Sequence, residues 1–484
     1  MAKRLTLTLA LMGSLLHSSS ADPAGGALAQ FPPKMGRVAS FVDNFDFTNN
    51  GTFEQRTMTF DRWWKAGNPI LFFFGGEGSV ETFYNASGAL FEHAQVLEAM
   101  VVFLEHRSYG KSPAPRRTLT VEQALADTAW FLSGLRSRLG CQAHECPIIT
   151  LGGSYGGMLV AWFRQKYPHL TAGGIASSAP IDFYPQDGRQ EAFWNATLHT
   201  SRKYGAETCP DELSKALRQL HQKAHTELGR QELGAALASC QDLQNETSAG
   251  AKADFFLRGV VATLAMLDYP VATNFVTPLP ANPVKVACQG LQRSPGIQGL
   301  RSIMDFFLNA TGGYRCYDII AEVVGRPTDG KLLGPVKAPD MGHWQYQACN
   351  EMPMQSLTSD GMGFYPASDD QLSEVAQSCQ LRYGLTPRTE WLKVSFGASN
   401  LQVGNLLFTN GEKDPWRVGV PKLEALPEGL DISLHLIPAG AHHEDLRFDS
   451  DPPKEAVSVA KAVTLMAMRR WIATFETGRK AIIT

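Results

Sequence analysis

A chain of 484 residues with 44% hydrophobic and 19% charged residues can hold one large core with an insertion, or two or three ordinary domains, and is too apolar to be disordered. Its formal net charge of −3 comes without a basic run or an acidic tail, which excludes nucleic acid as an expected partner. Beyond the N-terminus no segment offers the ~20 apolar residues of a membrane span without charge or proline.

The chain begins like a secretory leader. Lys3 and Arg4 precede a short apolar stretch at 5–16, and Ser19-Ser20-Ala21 forms a small-residue cleavage site. Residues 1–21 are therefore read as a signal peptide. Continuous apolar runs follow at 69–74, 100–104, 147–151 and 174–177, and again at 405–409 and 432–437. Runs of this kind suit buried parallel strands. Between them, 120–135 carries a capping signature, with Thr120 ahead of Glu122 and Gln123. Residues 157–167 also read as a helix, stopped by Pro168. Strand–helix alternation implies a mostly parallel sheet covered by helices.

The strand pattern stops near Pro180 and resumes near Gly404. Helical patterns at 210–228 and 252–267 and a proline-rich stretch at 269–283 lie between. The expected organisation is a sheet domain in two parts, 22–180 and 396–484, with a helical cap inserted at 181–395. A last helix, near 456–475, packs back on the sheet.

Two features agree with export. Cys141, Cys146, Cys209, Cys240, Cys288, Cys316, Cys349 and Cys379 are even in number and lack zinc-ribbon spacing, as in a disulfide framework. Asn50, Asn85, Asn195, Asn245 and Asn309 each head a glycosylation sequon. The expected location is the secretory route, ending in a lysosome or vesicle lumen or outside the cell.

The chemistry centres on Gly152-Gly153-Ser154-Tyr155-Gly156-Gly157. This fits G-x-S-x-G between a strand and a helix, the context of a nucleophile elbow. A serine hydroxyl needs a base to take its proton, and hydrolases of this kind order the triad Ser, Asp, His. Asp414 follows the run ending at Thr409. His442 and His443 follow the next run, on a loop flexible enough to swing an imidazole toward Ser154; spacing does not choose between them. Backbone N–H groups of Tyr155 and Gly76, the latter in Phe74-Gly75-Gly76-Glu77-Gly78, would form the oxyanion hole. Glu77 in that loop suits either a cationic group of the substrate or a structural arginine. The histidine pair lacks further ligands at metal spacing, so neither metal nor cofactor is expected.

At these motifs the chain resembles the family of lysosomal Pro-X carboxypeptidase, dipeptidyl peptidase II and thymus-specific serine protease. The likeness runs from about Phe41 to Trp471. It is carried by Glu105-His106-Arg107, Tyr109-Gly110-Lys111-Ser112, the elbow, Tyr167-Pro168-His169-Leu170, Ser178-Ala179-Pro180, Tyr346-Gln347-Ala348-Cys349, Asp414-Pro415-Trp416 and Gly440-Ala441-His442-His443. Leu267-Asp268-Tyr269-Pro270 and the segment 278–286 look closest to the dipeptidyl branch. The resemblance implies an α/β-hydrolase fold with an inserted helical cap, and a triad of Ser154, Asp414 and His442. It implies peptide substrates and release of N-terminal Xaa-Pro or Xaa-Ala dipeptides. It implies that Trp416 and Met354 line a small pocket for proline, and that the disulfides are Cys209–Cys288, Cys240–Cys316 and Cys349–Cys379, leaving Cys141 and Cys146 as a local pair. A homodimer stays open.

Three departures bear on specificity. Gly76 stands where the family usually has Asn, and Ser108 where it has Tyr. Residues 322–344 lack the cysteines that bound the acidic amine anchor of the dipeptidyl branch, which leaves Asp329 or Asp340 for that role, together with Glu77. The competing readings are a Pro-Xaa carboxypeptidase, a lipase or esterase (for which no apolar lid is evident), and an inactive hydrolase-fold binding protein.

Overall fold

The computed structural model describes residues 26–483 apart from 143, 184–188, 318, 320–340, 353–375, 377, 378, 423, 425, 427, 451 and 452. The signal peptide, Met354, Asp329 and Asp340 lie outside the described residues. The chain divides into two compact units. One comprises Ala21–Phe183, Glu390–Glu412 and Gly419–Thr484; the other comprises Tyr184–Thr389 with Lys413–Val418.

The first unit is built on one eight-stranded sheet, ordered β1-β2-β4-β3-β5-β6-β7-β8. The strands are β1 Lys34–Phe41, β2 Thr52–Phe60, β3 Ile70–Phe74, β4 Met100–Leu104, β5 Ile148–Gly153, β6 Gly173–Ser177, β7 Leu406–Gly411 and β8 Ile432–Ile437. From β4 to β8 every pairing is parallel, whereas β1 and β2 pair antiparallel with each other and β2 with β4. This is the sheet of an α/β hydrolase. Every side chain of β3 and β4 is buried, as expected for strands covered on both faces.

The edge ribbon β1–β2 is absent from the sequence reading for a physical reason. β1 contains Gly36 and exposes alternate residues, and β2 interleaves Gln55 and Arg56 with its apolar positions. Neither forms a continuous apolar run. The helix Val121–Arg138 begins where its signature places it, with Thr120 Oγ1 accepting the Gln123 N–H at 3.2 Å.

The second unit is helical. Its helices include Arg189–Thr200, Cys209–Ala224, Glu227–Ala236, Ala249–Met266, Pro283–Arg293 and Ile297–Leu308. The periodic pattern at 210–228 splits into two helices because Thr226 is extended and caps a new one through Gly229 N–H. Cys209–Cys288 and Cys240–Cys316 staple this unit across separations of 79 and 76 residues. Cys349–Cys379 is the third bond of the unit, and Cys141–Cys146 closes a short loop in the sheet unit. These are the pairs implied by the family resemblance. On the chain-entropy argument each of the two longest staples contributes about 4 kcal/mol.

The short excursion Lys413–Val418 belongs to the helical unit by its contacts, although by sequence it falls in the expected second part of the sheet domain. The assignment follows from Lys413 and Trp416. The Lys413 ammonium stands 2.7 Å from Asp268 Oδ2, and the Trp416 ring meets Phe193 edge-on at 4.7 Å.

Candidate active site

The strand order fixes where a site can form. From β3 the chain moves to β4 on one side, and β5 takes the place on the other side. The carboxyl ends of β3 and β5 therefore flank a topological switch point, where open α/β sheets bind their ligands. The Gly75–Gly78 loop follows β3, and Ser154 follows β5.

Ser154 sits at φ 56°, ψ −126°, a left-handed backbone, and starts the helix Tyr155–Lys166. Its hydroxyl makes no capping bond to that helix, so Oγ is not spent on local structure. The turn is tight because glycine allows it. A Cβ on Gly156 would lie 2.7 Å from the Phe74 carbonyl oxygen, and one on Gly152 would run into the Gly156 carbonyl. The elbow thus packs its backbone directly on the end of β3. The first N–H groups of a helix lack intrahelical partners and carry the positive end of its dipole. An anion formed beside Ser154 would meet that end.

Tyr155 is anchored by a group that sequence reading left without a role. Its hydroxyl is 3.0 Å from His106 Nε2, while His106 Nδ1 is 2.8 Å from the Arg107 carbonyl. A carbonyl only accepts, so Nδ1 carries the proton and Nε2 accepts from Tyr155. Burial holds the His106 pKa down at about 4, which keeps this neutral tautomer.

The loop after β3 is braced from below. Glu105 is fully buried and accepts from Val80 N–H at 3.0 Å, Lys111 N–H at 2.9 Å, Ser112 Oγ at 2.6 Å and Arg56 Nε at 2.9 Å. Arg56 also pairs with Glu81. The structural arginine of this region is thus taken by Glu105 and Glu81. Glu77 is in no ion pair with Lys or Arg among the described residues. Its burial raises its carboxyl pKa, against a lowering influence from His442 nearby. Gly76 faces the Phe83 ring, 3.0 Å from where a Cβ would stand.

The histidine loop is clamped rather than free to swing, contrary to the expectation from its sequence. Glu412 Oε2 accepts the Ala439 N–H at 2.9 Å, Glu444 Oε2 accepts the Ala441 N–H at 2.7 Å, and Ser178 Oγ accepts the His443 N–H at 2.8 Å. Lys454 bonds the Ala439 carbonyl and Glu444. Asp445 accepts from Ser177 Oγ and Thr409 Oγ1, each at 2.7 Å. Four successive odd-numbered residues are held, and both histidines are buried. The two rings differ in their surroundings. The His443 ring lies against Gly153, 3.0 Å from where a Cβ would stand, and its pKa is driven well below the usual histidine value, first by burial. The His442 ring lies 4.4 Å from it and is the one felt by Glu77.

Asp414 and Trp416 are placed in the helical unit. Asp414 is fully buried, and its Oδ1 accepts the Trp416 N–H at 3.0 Å. Of the five sequon asparagines, Asn50, Asn195 and Asn245 are exposed, while Asn85 and Asn309 are half-buried. Asn309 already bonds Tyr314 through both amide atoms, at 3.0 and 2.9 Å. Groups of three or more His, Cys, Asp or Glu suited to a metal do not occur among the described residues.

Residues 40–464 match the family model for serine carboxypeptidase S28. The lysosomal Pro-X carboxypeptidases of Pongo abelii and Homo sapiens are 34% and 33% identical to this chain, each match covering 90% of this chain and 87% of that protein. The thymus-specific serine protease of Homo sapiens is 26% identical, over 94% of this chain and 88% of that protein. The chain therefore belongs to the serine carboxypeptidase S28 family of serine peptidases.

Proposed function

We propose that this chain is a serine exopeptidase that releases Xaa-Pro or Xaa-Ala dipeptides from peptide N-termini through an acyl-enzyme. Ser154 is the nucleophile, His442 the base and Asp414 the carboxylate that orients it. His442 takes the Ser154 proton as Oγ attacks the scissile carbonyl. The oxyanion is met by the N–H groups of Tyr155 and Gly76. His442 then gives the proton to the leaving amine, and water repeats the sequence to free the dipeptide. The strongest support is Ser154 itself, a left-handed serine at a helix start on a switch-point strand. Asp414 and His442 follow β7 and β8, which gives the chain order Ser, Asp, His.

The dipeptidyl specificity rests on Glu77. A carboxylate in the loop after β3, in no ion pair with Lys or Arg among the described residues, suits the ammonium of a substrate. Desolvation has already raised its pKa, and an incoming ammonium would restore the charged form. Trp416 and Met354 are assigned to the proline pocket, where an aromatic and a thioether suit a rigid ring. The leader and the four disulfides support a lumen of the secretory route. Release of a C-terminal residue after proline is the second reading, favoured by the likeness to Pro-X carboxypeptidases.

The two readings make opposite predictions. The dipeptidyl reading expects a free-amine Xaa-Pro reporter to be cleaved and its N-acylated form to be refused. It also expects Glu77→Gln to raise KM for the free-amine substrate by about 10–100-fold, the worth of a lost charge-assisted hydrogen bond. Steady-state kinetics on both reporters decides. Ready cleavage of the acylated form, with KM unmoved by Glu77→Gln, would overturn the dipeptidyl reading.

A further inference from the structure

A lysine in a protein interior is rare unless it is paired. Lys413 is only 4% exposed and is the residue before Asp414. Its ammonium donates to the Asp268 carbonyl at 2.8 Å and stands 2.7 Å from Asp268 Oδ2. The Tyr204 ring covers it, with the nitrogen 4.6 Å from the ring centre. Its own carbonyl accepts from Thr200 Oγ1 at 2.9 Å. Lys413 is thus held at the end of its side chain and at its backbone.

The partner is equally fixed. Asp268 is 1% exposed, and its Oδ1 accepts the Val284 N–H at 3.0 Å, at the start of the helix Pro283–Arg293. The Asn282 N–H closes the loop on the Tyr269 carbonyl at 2.7 Å. The two segments singled out in the sequence, Leu267-Asp268-Tyr269-Pro270 and 278–286, therefore meet each other and Lys413 at one point. The proposed chemistry gave them no role.

We infer that the Asp268–Lys413 ion pair is a positioning device that fixes the backbone of Asp414 and so sets where the triad carboxylate sits. Asp268, Lys413 and Thr200 are positioning residues, and the inference rests on Asp414 being the catalytic carboxylate. One trans peptide spans 3.8 Å between Cα atoms, so a lysine held at both ends leaves its neighbour little freedom. A shift of about 1 Å in a catalytic group costs on the order of 100-fold in rate. Removing either charge strands the other in the interior, and the backbone around Asp414 would lose its anchor.

The test uses the full glycosylated chain, with kcat, KM and the pH dependence of kcat/KM measured on a free-amine Xaa-Pro reporter. Lys413→Met and Asp268→Asn are expected to lower kcat by about 10–100-fold with KM within about twofold. The double variant should lose little more than either single one, because the pair acts as a unit. The acid limb of kcat/KM should move to lower pH, because an imidazole that loses its carboxylate neighbour is easier to deprotonate. Loss of folded protein alone would lower the plateau without moving the limb. Thr200→Val leaves the charges paired and keeps the test open if the charge variants do not fold; it should show the same shift with a smaller loss of kcat. Folded variants with wild-type kcat and an unmoved acid limb overturn the inference. Asp414→Asn separates the two ideas: if it stays within about tenfold of wild type, the triad assignment fails and the inference with it. If it is inactive while Lys413→Met, Asp268→Asn and Thr200→Val behave as wild type, only the inference fails.

Discussion

Ser154→Ala and Ser154→Gly are both expected to lose turnover by about 10⁴–10⁶-fold, and to differ in stability. The first part follows from the proposed role, since removing the nucleophile of such a triad leaves only oxyanion and binding contributions. The second part follows from the backbone. Ser154 sits at φ 56°, ψ −126°, where an L-residue pays roughly 1–3 kcal/mol. Alanine keeps that strain, whereas glycine sheds it. Ser154→Gly should therefore resist denaturant better than Ser154→Ala by up to about 2.5 kcal/mol, after glycine's own entropy cost of about 0.4–1 kcal/mol. Urea midpoints measure the difference, and labelling by a fluorophosphonate should vanish in both. Turnover within tenfold of wild type in Ser154→Ala would remove the nucleophile assignment. A glycine variant less stable than the alanine one would mean that the elbow stores no strain.

That strain marks the boundary between what the sequence discloses and what it does not. The apolar runs of β3, β4 and β6 were legible because a strand buried along its whole length has few polar positions to break the run. The elbow was legible because glycines cluster where backbone meets backbone. β1 and β2 were not, since an antiparallel edge ribbon is half wet and its composition is mixed. The buried polar partners were hidden for another reason. Glu105 meets Arg56 only because β2 and β4 pair antiparallel, with Thr57 opposite Leu104. Nothing near either residue along the chain announces the other. The same holds for Ser178 and His443, 265 residues apart, whose bond turns a supposedly mobile loop into a fixed one. The alternatives for Glu77 could be narrowed only once the arginine of that region was seen to be occupied. The excursion carrying Asp414 lies between two strands of the sheet in sequence, and its membership of the helical unit goes with contacts that Lys413 makes to Asp268 and Trp416 to Phe193.

Acid should weaken the fold through its buried histidines. His93 and His106 are each about 5% exposed, and burial, the largest influence on both, lowers their pKa to about 4 from 6.5. Near His93 the Lys461 ammonium adds to the lowering and Asp449 opposes it. The sign follows from proton counting. Between pH 6.5 and 4 the unfolded chain protonates these rings and the folded chain does not. Their stability contribution is therefore complete above pH 6.5 and falls away as the pH drops toward 4. Going from about pH 7.5 to pH 5 should cost about 2 kcal/mol for each ring. His443, driven lower still, adds to the trend. The raised carboxyls of Asp445 and Glu77 act with the opposite sign, since a folded-state pKa above the unfolded one favours the fold at low pH. His93→Asn isolates one ring from this sum. Its urea-derived stability should fall between pH 7.5 and pH 5 by about 2 kcal/mol less than that of the wild type, whatever its starting value. Parallel losses in the two proteins would mean that His93 protonates equally in the folded and unfolded chain. Its burial beside Lys461 would then exert no pull on the acid stability of the enzyme.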